Sequence, residues 1–217
     1  MENEEENKVV LVGESGVGKT CIINQFVNNK FDENTLSNLS AQYCRKIIEF
    51  PGNKFITLDI WDTAGQEKFR SLNRIFYSNS KVVILVYDIT DKNSFNEVKN
   101  YWYEQIKQNC FKENLIIALV ANKCDLYEKK QVPDEEGEEF AKKIGALLAF
   151  TSAKNDSGIN KLFEDIATKI LKPDFNFSAN EKKKIDKKNN QERNKDKPKN
   201  KVKLNPTIKK KKKKCFK

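Results

Sequence analysis

Lys8-Val9-Val10-Leu11-Val12-Gly13-Glu14-Ser15-Gly16-Val17-Gly18-Lys19-Thr20 sets an apolar strand against a glycine-rich turn that closes on Lys-Thr and opens a helix. Glycine lacks a Cβ and takes positive φ, so successive backbone N–H groups can curl inward as an anion nest at the positive end of that helix. The turn therefore reads as a phosphate cradle built from Gly13, Ser15, Gly16, Val17, Gly18, Lys19, Thr20 and Cys21. In such a cradle Lys19 reaches the outer phosphates and Thr20 holds Mg²⁺ through its hydroxyl. A plain strand-to-helix turn that binds nothing is the competing reading. The strand before, the helix after and the Lys-Thr pair argue against it.

Outward from this turn, apolar runs recur at residues 9–12, 56–61, 82–86, 115–121 and 147–150, each short enough for a strand buried on both faces. Helix-like segments alternate with them near residues 19–28, 93–108, 134–144 and 158–171, with Pro133-Asp134 as a start signal. Residues 43–50, Pro51-Gly52-Asn53 and residues 54–61 read as a hairpin, which places one antiparallel strand at the sheet edge. The expected architecture is a doubly wound α/β sheet of six strands, mostly parallel, with helices on both faces. One globular core fits residues 8–173, preceded by an acidic extension over 1–7 and followed by a tail over 174–217.

The run ending at Ala121 leads into Asn122-Lys123-Cys124-Asp125. The Asp125 carboxylate can accept from the ring N1–H and the exocyclic amine of guanine, whereas adenine would set a lone pair against a buried charge. Thr151-Ser152-Ala153-Lys154 follows another apolar run and supplies a second guanine loop, with the N–H of Ala153 directed at the base oxygen. Between the two phosphate and base motifs lies Ile60-Trp61-Asp62-Thr63-Ala64-Gly65-Gln66-Glu67. Asp62 at a strand's carboxyl end can position a Mg²⁺-bound water, the Gly65 N–H can bond a γ-phosphate, and Gln66 can orient the attacking water. The chain has no histidine, which excludes imidazole acid-base chemistry and histidine metal sites.

With these residues in this order, residues 8–171 resemble a small GTPase of the Ras superfamily, and within it a Rab. The resemblance to Rabs rests on the stretch from Ile60 to Leu72, on Leu85-Val86-Tyr87-Asp88-Ile89-Thr90, and on a long basic tail with a cysteine. It implies the Ras-like P-loop fold, GTP and GDP with Mg²⁺ as ligands, slow intrinsic GTP hydrolysis, and switching in vesicle-mediated membrane traffic. Lys19 and Gln66 would then be catalytic, Thr20 and Asp62 metal ligands, and Phe31 the aromatic stacked on guanine. The resemblance further implies a monomer that meets exchange factor, activating protein and effectors through an aromatic triad at Tyr43, Trp61 and Phe76.

The chain departs from its relatives' pattern in one place that bears on chemistry. The family's first switch carries a threonine nineteen residues after the P-loop lysine that reaches Mg²⁺ and the γ-phosphate; Asn38 stands there, and Ser40 replaces the following glycine. An asparagine carbonyl can ligate Mg²⁺. Asn38 is accordingly the third candidate metal ligand, and a non-switching guanine-nucleotide scaffold with impaired hydrolysis is the alternative function. A second departure, Tyr77-Ser78-Asn79-Ser80, bears on partner binding rather than hydrolysis.

The chain's net charge of +10 is local. Residues 174–217 hold 18 Lys and Arg against 5 Asp and Glu, so the tail carries +13 and the first 173 residues −3. Lysine and asparagine replace nearly all aliphatics there, a composition expected to be disordered. The six lysines from Lys209 to Lys214, next to Cys215, fit an anionic membrane surface, with a prenyl group on Cys215 as a second anchor. Cys215-Phe216-Lys217 is one residue short of the usual prenylation box. A solvated tail and a nuclear-import or RNA-binding patch are the other readings; the tail lacks interleaved aromatics for base stacking, so nucleic acid is not the expected partner. Five scattered cysteines form no disulfide framework, and neither a signal-peptide core nor a bilayer-length apolar run is present. The expected location is cytoplasmic, peripheral on the cytosolic face of an intracellular membrane.

Overall fold

The computed structural model describes residues 6–32, 42–62, 78–110 and 114–174. All belong to one compact unit, Met1–Phe175; a second unit, Asn176–Lys217, lies outside the described residues. Six strands, β1 (Asn7–Val12), β2 (Gln42–Phe50), β3 (Lys54–Asp62), β4 (Val82–Asp88), β5 (Ile116–Asn122) and β6 (Leu147–Phe150), form one sheet in the order β2-β3-β1-β4-β5-β6. Among the pairings of these six described strands, β2–β3 alone is antiparallel. This is the Ras-like P-loop fold, with its antiparallel strand at the edge as the hairpin signal required.

The unbroken apolar runs have their reason in the middle of the sheet. Val9 to Val12 and Val82 to Val86 are wholly buried because helices cover both faces of β1 and β4. On one face lie α1 (Lys19–Asn28) and α5 (Ile159–Leu171), whose Phe26 and Phe163 rings stack with centroids 3.8 Å apart. On the other lie α2 (Lys92–Glu97), α3 (Tyr103–Asn109) and α4 (Asp134–Ile144), packing Phe95, Ile106 and Phe140 beneath the sheet.

The structure differs from the sequence reading in two respects. β6 is only half-buried, and Phe150 is 38% exposed, because this strand closes the far edge of the sheet. The single helix expected over residues 93–108 is instead α2 and α3 joined by a π-helical turn, Val98–Trp102. Val98, Trp102 and Ile106 are all buried. An ideal α-helix drifts about 40° with every four-residue step, and the wider π turn keeps these three on one face.

α5 starts at Gly158, whose φ is +73°. A Cβ there would lie 2.2 Å from the Phe150 carbonyl oxygen. Gly158→Ala is expected to cost more than about 2 kcal/mol, from the left-handed backbone and the backbone clash together. Urea unfolding measures it, and a loss below 0.5 kcal/mol, the level of an ordinary surface substitution, would contradict this account of the turn.

Candidate functional site

The parallel strands β1, β3, β4, β5 and β6 point their carboxyl ends the same way, so the end of β3 and the segments that follow β1, β4, β5 and β6 lie at one end of the sheet. Such an end is where open α/β sheets bind ligands. After β1 the chain runs through Gly13, Gly16 and Gly18 at positive φ into α1. Ser15 and Gly16 are exposed, while Val17 tucks into the core. Gly18 passes so close to the end of β5 that a Cβ would stand 2.4 Å from Asn122 Nδ2.

Lys19, the first residue of α1, is 5% exposed, and its Nζ donates to the carbonyls of Gly13 and Glu14, both at 2.8 Å. Burial pulls its pKa down to about 8, against the opposing charges of Asp62 and Glu14. An ammonium held among carbonyls at a glycine turn of positive φ suits a phosphate oxygen, which would restore the charge compensation that burial removes. Thr20 Oγ1 donates to Asp62 Oδ2 at 2.6 Å, joining the start of α1 to the end of β3. A hydroxyl and a carboxylate are the hard oxygen donors that Mg²⁺ takes, and that ion fills its remaining positions with water and phosphate. Among the described residues no three His, Cys, Asp or Glu side chains gather into an all-protein metal cage.

The loop after β5 is tied to the loop after β1 through Asn122, the last residue of β5. Its Nδ2 donates to the Val17 carbonyl at 2.8 Å, and its Oδ1 accepts from Thr151 Oγ1 at 3.0 Å. Lys123 follows at φ +67° and opens a 3₁₀ turn, Cys124–Lys129, on which Asp125 sits. Ser152 Oγ donates to Asp125 Oδ1 at 2.5 Å, so the loop after β5 and the loop after β6 meet directly. Ala153 is buried and Lys154 exposed; Cys21 is half-buried on α1, and Phe31 is 36% exposed beyond its end.

Residues 8–172 match the Ras family. The chain is 41% identical over 165 residues to the Ras-related protein Rab-31 of Rattus norvegicus, spanning 76% of this chain and 83% of that one. It is 38% identical over 176 residues to human Rab-22A, with 80% and 88% of the two chains covered, and 41% identical over 164 residues to human Rab-21, with 76% and 72% covered. The chain is a Rab-family small GTPase. In this Rab, Tyr43 and Trp61 of the expected aromatic triad face each other across β2 and β3, with ring centroids 5.1 Å apart at 55°. Tyr43 is half exposed and its hydroxyl donates to Asp59 Oδ1 at 2.6 Å, beside Arg45 Nε at 2.7 Å from the same oxygen. Asn38, Ser40, Gly65, Gln66, Phe76, the lysines from Lys209 to Lys214, and Cys215 lie outside the described residues.

Several contacts of the Rab site were not foreseen. Glu14 Oε1 accepts from the buried Trp102 Nε1 at 2.9 Å, fastening the P-loop to the π turn 88 residues away. Thr151 Oγ1 orients Asn122, and Asp88 at the end of β4 pairs with Lys123 Nζ at 2.7 Å. Apart from Trp102, which sits in the π turn, each of these residues ends or follows an apolar strand, and that position was the signal available.

Proposed function

We propose that this Rab binds GTP and GDP with Mg²⁺, hydrolyses GTP to GDP, and acts as a switch in vesicle-mediated membrane traffic. The observation that carries this reading is the linkage of a buried Lys19 and a Thr20–Asp62 pair to Asn122, Asp125 and Ser152 at one end of the sheet. Lys19 and the amides of the P-loop bind and neutralise phosphate oxygens. Asp125, held by Ser152, accepts from the guanine edge, and the Ala153 N–H faces the base oxygen. Thr20, Asp62 and Asn38 hold Mg²⁺, which when bound neutralises charge developing on the phosphate oxygens. Gln66 orients the attacking water and the Gly65 N–H bonds the γ-phosphate. Tyr43, Trp61 and Phe76 receive effectors and regulators, while the lysines from Lys209 to Lys214 and a lipid on Cys215 hold the protein at an anionic membrane surface. No helix among the described residues is long and apolar enough to cross a membrane.

Single-turnover GTP hydrolysis with Mg²⁺ tests the catalytic part. Native turnover is expected to be slow but measurable, to fall at least about a hundredfold in Gln66→Leu, and to change little in Asn38→Thr. The second reading, a guanine-nucleotide scaffold held in one state, is favoured by Asn38 and Ser40 in the first switch. A ligand shifts a conformational equilibrium only by its differential affinity, and a poor Asn38 ligand would reduce that difference. Absent native turnover restored by Asn38→Thr would establish this second reading.

A further inference from the structure

Asp88 belongs to neither the P-loop nor the two guanine loops. It is the last residue of β4, in register with Asn122 on β5. Its carboxylate, 9% exposed, uses both oxygens: Oδ2 lies 2.7 Å from Lys123 Nζ, and Oδ1 accepts from Thr90 N at 2.8 Å and Thr90 Oγ1 at 2.7 Å. The turn carrying it is fixed independently. Asp88 N donates to Ser94 Oγ, Ser94 Oγ donates to the Asp91 carbonyl, and Ile89 N donates to the Asn122 carbonyl. The acceptor for Lys123 is thus held rigidly before any ligand arrives.

We propose that Asp88 is a positioning residue for nucleotide retention: it anchors Lys123, and through Lys123 it slows the departure of bound guanine nucleotide. The inference rests on the guanine reading of Asn122-Lys123-Cys124-Asp125. Lys123 stands between the Asn122 tie to the P-loop and the Asp125 base contact, and its side chain stretches from that loop to the end of β4. An unanchored lysine, one of the most flexible side chains, would lose rotamer freedom each time a nucleotide packed against it. One already pinned by Asp88 has lost that freedom beforehand, so the bound state is favoured and release is slower. Asp88→Asn keeps the shape and the Oδ1 acceptor for Thr90 but removes the charge that holds the ammonium.

The test measures release of a fluorescent methylanthraniloyl-GDP from the full chain with Mg²⁺, chased by excess GDP. Asp88→Asn is expected to speed release about fivefold, and Lys123→Met at least as much. The double variant is expected to match Lys123→Met alone, because both substitutions remove one interaction. Ser94→Ala removes the hydrogen bond that Asp88 N donates to Ser94 Oγ but leaves both charges of the pair in place, and it is expected to speed release less than Asp88→Asn does. A second measurement needs no Asp88 variant: added salt screens a partly exposed pair, so native release accelerates with salt more steeply than that of Lys123→Met. Native-like release in Asp88→Asn, multiplying effects in the double variant, a Ser94→Ala effect equal to that of Asp88→Asn, or equal salt slopes would each overturn the proposal. Failure of the native chain to retain GDP would instead overturn the guanine-nucleotide reading on which it rests.

Discussion

Raising the pH from 8 to 10 is expected to stabilise the nucleotide-free chain through Lys19 and, through the same residue, to loosen its hold on GDP. Burial brings the Lys19 amine from its ordinary 10.5 down to about 8. Between those two values the unfolded chain keeps a proton that the folded chain has released, so this group's contribution to stability grows as pH rises. The slope is about 1.4 kcal/mol per pH unit, or about 3 kcal/mol across the window. Nucleotide binding runs the other way because the phosphate oxygens need the ammonium. Below pH 8 the empty site already carries the proton and affinity is flat; above it the site must regain one, and affinity falls about tenfold per unit. Cys44, Cys110 and Cys124, all raised by burial above their ordinary 9.0, oppose the stability trend, since the unfolded chain loses their protons first. Lys19→Met separates these effects. It lacks the amine but keeps the thiols, and titration of the nucleotide itself affects both proteins alike. Its affinity for GDP is expected to be lower by about a thousandfold at pH 7, with the native advantage shrinking above pH 8. Urea unfolding of the metal- and nucleotide-stripped chain and GDP titrations from pH 7 to 10 give the two curves. A native-to-variant affinity ratio that stays constant through pH 10 would show that Lys19 keeps its proton in the empty site.

What the sequence could reveal follows from how each feature is encoded. The strands at the centre of the sheet were legible because burial on both faces forces uninterrupted apolar runs, as in Val82 to Val86. β6 has the same kind of run, yet it lies at an edge, and nothing in four apolar residues distinguishes edge from centre. Thr20 and Asp62 were assigned separately as metal ligands, and they lie 2.6 Å apart because β1 and β3 are parallel neighbours. The contacts that escaped the sequence depend on register or on helix phase. Asp88 meets Lys123 because Asp88 and Asn122 are paired across β4 and β5, a relation that a separation of 35 residues does not encode. Trp102 reaches Glu14 from a π turn, and buried residues at four-residue spacing look the same in sequence whether the turn is α or π. The parts read from local chemistry and the parts fixed by topology meet at Asn122, which a motif identifies and which Val17 and Thr151 hold in place.

Asp125→Asn is expected to reverse the base preference of this Rab, with GDP losing about three orders of magnitude in affinity and xanthosine diphosphate gaining. The carboxylate of Asp125 is acceptor-only, matching the two donors that guanine offers at N1 and at its exocyclic amine. An asparagine keeps one acceptor but turns an N–H₂ group toward that amine, setting donor against donor in a partly buried site. Xanthine carries a carbonyl where guanine carries the amine, so it accepts from the new amide while its N1–H donates to the retained oxygen. With native Asp125 the same carbonyl would face a carboxylate and be rejected. Ser152 makes the exchange local. Its hydroxyl holds Asp125 Oδ1 at 2.5 Å, and a hydroxyl can rotate to donate to an amide oxygen or accept from an amide nitrogen. The loop is therefore expected to keep its geometry, and the proposed phosphate and Mg²⁺ contacts of Lys19, Thr20 and Asp62 are expected to be unaffected. Competition between the two diphosphates for native and Asp125→Asn protein measures the change. Parallel loss of both ligands would mean that Asp125 supports the loop rather than the base, and retained preference for GDP would remove Asp125 from the base contact altogether.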